Sequence, residues 1–285
     1  MTVLLQISDP HFGTERAQVV EALEEFTRKL EPDALLLSGD ITQRATRSQF
    51  RAARAFVDRL NVPVVVAIPG NHDIPLFNLA ARLFSPYAHY QRAFGRELEP
   101  QFENDEVQVL GLNTTCWYRH VDGEITRAQI ERIARRLETA RPSQWRIVVI
   151  HQPVVVTRAE DEGNVVHGHE AAVRRWAAAG ADLVVGGHIH LPFMLPLKER
   201  WPDLPRAVWA VQAGTAVSHR VRPGARNSIN VIRVSAKGLT AAEGHKAAQR
   251  SCVIERWDHA AASKRFERVA VQALLDRDNA ELAST

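Results

Sequence analysis

The 285 residues include 36 Lys and Arg against 33 Asp and Glu, a net charge of +3, with 45% hydrophobic and 24% charged residues. That composition is ordinary for a soluble globular chain, and no internal repeat or low-complexity segment is visible along it. The mild basic excess attracts anionic phosphates but predicts no nucleic-acid partner. Two cysteines, Cys116 and Cys252, exclude a disulfide framework and suit a reducing compartment. The chain opens directly on a strand-like run with no basic region or long apolar segment, so no transmembrane segment and a cytoplasmic location are expected.

In chain order, apolar runs at residues 3–7, 34–37 and 64–68 predict buried strands. Residues 15–30 and 47–59 between them repeat apolar positions every three or four residues and predict helices. Residues 75–95 look helical and irregular, and residues 106–112 predict another strand. A helix at 127–139, a strand at 147–150, a helix at 170–179 and a strand at 183–185 follow. After His190 the alternation stops: residues 207–212, 228–234 and 252–257 read as strands on short turns, then 260–280 as a terminal helix. The expected architecture is α/β, a layered αββα sandwich of two packed mixed sheets flanked by helices, in a single domain over residues 1–285. Swapping or packing of the terminal helix across a homodimer is the alternative for that segment.

Five motifs directly follow five of these strands. They are Asp9-Pro10-His11, Gly39-Asp40, Gly70-Asn71-His72-Asp73, His151-Gln152-Pro153 and Gly187-His188-Ile189-His190. Alone, Asp-x-His is an ordinary cap or turn and Gly-Asp an ordinary strand end. In an α/β sheet, however, loops leaving the carboxyl ends of strands converge on one edge. Asp9, His11, Asp40, Asn71, His151, His188 and His190 then become neighbours, a hard-ligand set with no cysteine. Carboxylate, amide oxygen and neutral imidazole suit Mn, Fe, Zn, Co or Ni and argue against a structural zinc site. Two ions about 3.5–4 Å apart need a bridging carboxylate, for which Asp40 is the natural choice. Water held between them becomes hydroxide near neutral pH and attacks a phosphorus whose oxygens the ions polarise. His72 neighbours ligand Asn71 but points differently, as a catalytic acid outside the metal shell should.

The ordered set resembles the calcineurin-like metallophosphoesterase superfamily, whose pattern runs D-x-H, G-D, G-N-H-[DE], H and G-H-x-H. The resemblance implies that Asp9, His11, Asp40 and His190 hold one metal and Asp40, Asn71, His151 and His188 the other, with His72 as the catalytic histidine. Within the superfamily the chain looks most like the bacterial class III cyclic-nucleotide phosphodiesterases and their glycerophosphodiesterase relatives. Gly39-Asp40-Ile41-Thr42, Gly70-Asn71-His72-Asp73 and Ala213-Gly214-Thr215 carry that narrower likeness. Protein phosphatases continue their second motif as G-D-x-x-D-R-G, whereas this chain has Gln43 and Ala45 around Arg44, so another group, with Asp73 the first choice, must orient His72. Lipid-A pathway pyrophosphatases usually carry arginine where His72 stands, and the repair nucleases add a capping domain for which little chain remains. The implied activity is hydrolysis of a small phosphodiester, 3',5'-cyclic AMP first, then a phosphomonoester or nucleotide, then a lipid pyrophosphate. A scaffold on the same fold, like the retromer-type subunit, should have lost ligands or His72, and this chain keeps them all.

Outside the motifs, His167, His219 and Arg220 are candidates for substrate contact. An arginine after Gly214-Thr215, Arg220 or Arg222, suits a bidentate phosphate clamp, against which stands a solvated loop. For His167 the favoured alternative is a loop and helix-start role, with Gly168 as punctuation and Glu170 in the first helical turn. Trp117, Tyr118 and His120 could stack on a nucleobase or pack within a lid loop.

Overall fold

The computed structural model describes residues 1–119, 121–236 and 250–275. In chain order its strands are β1 (Thr2–Ile7), β2 (Ala34–Ser38), β3 (Val64–Ile68), β4 (Gln101–Glu103), β5 (Val107–Gly111) and β6 (Trp145–Val149). They continue as β7 (Leu183–Gly186), β8 (Phe193–Pro196), β9 (Trp209–Gln212), β10 (Ser228–Ser235), β11 (Ser251–Ala260) and β12 (Arg265–Leu275). The α-helices are α1 (Ala17–Leu30), α2 (Arg47–Leu60), α3 (Leu79–Phe84), α4 (Ala88–Phe94), α5 (Arg127–Glu138) and α6 (His169–Ala178). One sheet has the order β12-β11-β10-β1-β2-β3 and the other β4-β5-β6-β7-β9-β8. Strands β1, β2 and β3 are parallel, as are β5, β6, β7 and β9, while β10–β12, β4 and β8 add antiparallel pairs. Two mixed sheets with helices outside are what the apolar patterning predicts.

Alternation along each strand divides its side chains between two cores. Leu4 of β1 and Leu36 of β2 face a middle layer with Ile147, Val149, Leu183 and Val185 of the second sheet. Their neighbours Leu5, Ile7, Leu35 and Leu37 face outward onto Leu23 of α1 and Phe50 and Phe56 of α2. Val148 and Val184 likewise turn outward to Ile133 of α5 and Trp176 of α6. Near one edge the middle layer turns polar: Gln6 of β1 donates to the Gly186 carbonyl of the opposite sheet, 2.9 Å, and accepts from Asn230, 2.9 Å. These buried bonds set the two sheets against each other directly beneath the converging loops.

The expected terminal helix at 260–280 is corrected. Residues 265–275 form β12, which pairs antiparallel with β11 from Ala260↔Arg265 to Ser251↔Leu275; residues 276–280 of the expected helix lie outside the described residues. Phe266, Val269, Ala270 and Ala273 do fall at helical intervals. A full-length partner strand and the packing of Phe266 beside Phe26 and Trp257 override that local preference. Strands β4 and β8, of three and four residues, are additional to the expected set.

Candidate metal centre

The parallel strands of both sheets deliver their loops to one edge. Asp9 and His11 follow β1, Asp40 follows β2, Asn71 and His72 follow β3, His151 follows β6, and His188 and His190 follow β7. Ligand atoms of Asp9, His11 and His190 lie within 4.8 Å of one another, and so do those of Asp40, His151 and His188. Asn71 joins the second group, its Oδ1 3.1 Å from His151 Nε2 and 3.0 Å from His188 Nδ1. Asp40 adjoins both groups: its Oδ2 is 3.7 Å from His11 Nε2 and its Oδ1 is 3.3 Å from His151 Nε2.

The backbone is bent to achieve this. Asp9, His11, Asp40, His188 and His190 have φ of 51°, 44°, 49°, 73° and 55°, a region costing residues with a Cβ about 1–3 kcal/mol each and concentrated at functional sites. Surrounding bonds hold the loops there: the Asp9 N–H donates to the Gly39 carbonyl, the His11 N–H to the Asp40 carbonyl, and the Thr215 hydroxyl to the Asp9 carbonyl. Two glycines allow the close approach. A Cβ at Gly70 would sit 2.1 Å from the Asp40 nitrogen, and one at Gly187 would sit 1.8 Å from Ser8 Oγ.

Hydrogen bonds made at Nδ1 fix two of the histidine rings so that Nε2 faces inward. His151 Nδ1 donates to the Ser38 carbonyl, 2.8 Å, and His190 Nδ1 to the Arg220 carbonyl, 2.6 Å. In the neutral rings both Nε2 atoms are then acceptors. His11 Nε2 and His190 Nε2 lie 2.9 Å apart. Asp9 Oδ1 and His188 Nε2 are buried with no hydrogen-bond partner. Buried acceptors that converge without donors need cations or protons between them, so this donor set fits metal ions. Burial holds His11 and His188 down to about 3. Burial also opposes a proton on His151, but the Asp40 and Asp9 charges outweigh it and raise the ring to about 9. Burial opposes the Asp9 charge too, and His190 overcomes it, bringing the carboxyl to about 2.

His72 stands beside this cluster, its Nε2 4.0 Å from Asp40 Oδ2 and its ring edge-on to His11. The expectation that Asp73 orients the ring is corrected: His72 Nδ1 bonds the Gln43 main-chain carbonyl at 3.0 Å. Asp73 instead accepts the N–H groups of Ile41, Thr42 and Gly70 and the Thr42 hydroxyl, which fixes the loop presenting Gln43. Asp40, Asn71, His72, His188 and His190 open onto a cleft of about 350 Å³ that Val121, Asp161, Asn164, Arg220 and Arg222 also line. Arg220 therefore reaches the site. His167 pairs instead with Asp122 and Arg119, and His219 is exposed and outside the cleft lining. Trp117 and Tyr118 are exposed, near cleft residue Val121 in the chain, and His120 lies outside the described residues. Sequence reasoning missed Ser8, whose hydroxyl donates to Asp9 Oδ2 at 2.6 Å, and Asp161, which arrives on a short 3₁₀ turn with no motif around it.

Residues 2–192 match the family model for calcineurin-like phosphoesterases, and the chain belongs to that family. A Synechococcus protein named "probable cyclic nucleotide phosphodiesterase" is 28% identical over 57% of this chain and 60% of its own length. An Arcobacter nitrofigilis protein named "probable glycerophosphodiester phosphodiesterase" is 25% identical over 66% of this chain and 71% of its own. A "cAMP/cGMP dual specificity phosphodiesterase" of Mycobacterium tuberculosis is 26% identical over 66% and 61%. The matched region thus spans less than two thirds of the first and third of these relatives. Among solved structures, a dimetal phosphatase of Danio rerio shares the fold with a TM-score of 0.63 at 12% identity, covering 95% of this chain and 98% of that one. A yellow lupin purple acid phosphatase does so with 0.70 at 12%, covering 95% and 53%.

Proposed function

We propose that this chain is a binuclear metal-dependent phosphodiesterase that hydrolyses a small phosphodiester, with 3',5'-cyclic AMP as the leading substrate. The observation that carries the reading is the convergence of carboxylate, amide and imidazole ligand atoms from seven side chains at one sheet edge. Asp9, His11, Asp40 and His190 would hold one ion and Asp40, Asn71, His151 and His188 the other, with Asp40 shared. Such ions, when bound, polarise phosphoryl oxygens and lower the pKa of water.

The chain's own groups do the rest. The Gln43 carbonyl takes the Nδ1 proton of His72, so the ring offers Nε2 to the cleft, and a protonated Nε2 delivers its proton to the departing alkoxide. Arg220 lies beside that position to bind a phosphoryl oxygen. Trp117 and Tyr118, both exposed near the rim residue Val121, suit a nucleobase face. The names of the Synechococcus and Mycobacterium relatives support a cyclic nucleotide, and the free thiols Cys116 and Cys252 suit a cytoplasmic enzyme.

A steady-state panel on metal-reconstituted protein tests this, comparing cyclic AMP, cyclic GMP, bis(p-nitrophenyl) phosphate, p-nitrophenyl phosphate and a UDP-diacylglucosamine. Diesters should have the highest kcat/KM. A monoester or pyrophosphate turned over faster would replace the reading.

A further inference from the structure

Two arginines line the cleft, and they are discharged differently. Arg222 Nη1 contacts both Asp161 oxygens, at 2.6 and 2.8 Å, and its Nη2 contacts Glu160 at 2.8 Å. Its charge is spent on holding the 3₁₀ turn Ala159–Asn164 as the cleft wall. Arg220 lies deeper. Its Nη1 donates to the side-chain oxygen of Gln43 at 2.9 Å and stands 3.3 Å from His72 Nε2 and 3.5 Å from His11 Nδ1. Among the described residues no carboxylate lies within ion-pair distance of its guanidinium.

Gln43 thus makes two bonds of different origin: its main-chain carbonyl orients His72 and its side-chain amide oxygen holds Arg220. The loop cannot drift, because Asp73 grips Ile41 and Thr42 just before it and the Gln43 N–H is bound by the Phe12 carbonyl. An amide oxygen aims a guanidinium without neutralising it, whereas a carboxylate in its place would form an ion pair and cancel the charge.

We propose that Gln43 is a positioning residue that sets Arg220 beside His72 as an undischarged cation for the phosphoryl group. Its neutrality, and not only its hydrogen bond, keeps phosphate affinity high. The proposal rests on the site being a phosphoester site and goes beyond it in assigning work to the residue that replaces the protein-phosphatase carboxylate.

The test measures binding of inorganic phosphate to the Mn²⁺-loaded full chain by calorimetry, with metal content checked for every variant. A purely structural role predicts that Gln43→Glu, which keeps an acceptor of the same length, is milder than Gln43→Leu. The charge account predicts the reverse order. Gln43→Leu should weaken phosphate binding a few-fold, and Gln43→Glu by about tenfold or more, the scale of one charge-assisted hydrogen bond. In an Arg220→Leu background the difference between Glu and Leu at position 43 should shrink, since the charge being cancelled is gone. With esters, the Glu variant should raise KM more than the Leu variant does. Phosphate binding by Gln43→Glu as tight as by Gln43→Leu, with both metals retained, overturns the proposal. Should the Glu variant misfold, Arg220→Leu alone decides: affinity must fall about tenfold, and unchanged affinity overturns it. Phosphate binding is read without turnover, so failure to hydrolyse diesters would revise the proposed activity while leaving this test standing.

Discussion

The two ends of the sheets each bury a cluster of charged groups, and the clusters are built oppositely. At the edge away from the cleft, Asp182 just before β7 accepts the Arg146 N–H at 2.8 Å, Arg206 Nη2 at 2.6 Å and Arg250 Nη1 at 3.1 Å. Arg250 also donates to the Gln144 carbonyl at 2.6 Å and stacks over Trp145 at 4.9 Å. Here opposite charges are paired within the protein, Asp182 with Arg206 and Arg250, and the polar atoms left over, such as Trp145 Nε1 and Arg206 Nε, are donors. At the other end of β7 the balance fails: carboxylate, amide and imidazole acceptors crowd together, with Asp9 Oδ1 3.3 Å from His190 Nε2. A cluster whose charges are paired within the protein is architecture, whereas a cluster of converging acceptors fits a cation.

The largest effect should come from Asp40→Ala, because Asp40 contacts both halves of the acceptor cluster. Metal analysis should show loss of at least one ion, and turnover should fall well beyond the roughly 10–100-fold cost of removing an outer-shell partner of a metal ligand. Retention of two metals and near-normal turnover would remove Asp40 from the shared position. His72→Ala comes next. It should keep both metals and lose about 10²–10⁴-fold on an alkyl diester, whose leaving group needs a proton, and much less on a nitrophenyl ester. Equal losses on both substrates would mean charge stabilisation rather than proton donation.

At the charge-paired end, Asp182→Ala should leave metal content unchanged and destabilise the fold by up to about 3–5 kcal/mol, since it removes the carboxylate that pairs with buried Arg250 and half-buried Arg206. Denaturant unfolding of the metal-free protein measures this. A loss of metal instead would show that the two ends are not independent. The mildest contrast is with pH. His151, raised to about 9 in the metal-free protein, must give up its proton to become a ligand. Apparent metal affinity should therefore rise with pH by up to about tenfold per unit below that value and level off above it. Calorimetry in buffers of different ionisation enthalpy should register the released proton, and a pH-independent affinity would contradict the assignment.

Much of this was readable in the chain because the site is written where strands end. Each ligand motif follows a continuous apolar run, the mark of a strand buried on both faces, such as Leu4 and Leu5 facing opposite cores in β1. Two kinds of information were not readable. Main-chain carbonyls orient the histidines: Gln43 for His72, Ser38 for His151 and Arg220 for His190. Every residue carries a carbonyl, so residue type gives no signal for this role. Long-range pairing decided β12, where helical spacing and strand pairing compete locally and only β11 breaks the tie. Asp161 belongs to neither kind; its partner in the cleft wall is Arg222, 61 residues later in the chain.

The central claim is that the acceptor-rich edge is a two-cation site, and anomalous diffraction from crystals grown with Mn²⁺ tests it most directly. Two peaks are predicted, both within the cluster of Asp9, His11, Asp40, Asn71, His151, His188 and His190, and none near Asp182. A single peak, or peaks elsewhere on the molecule, would contradict the account.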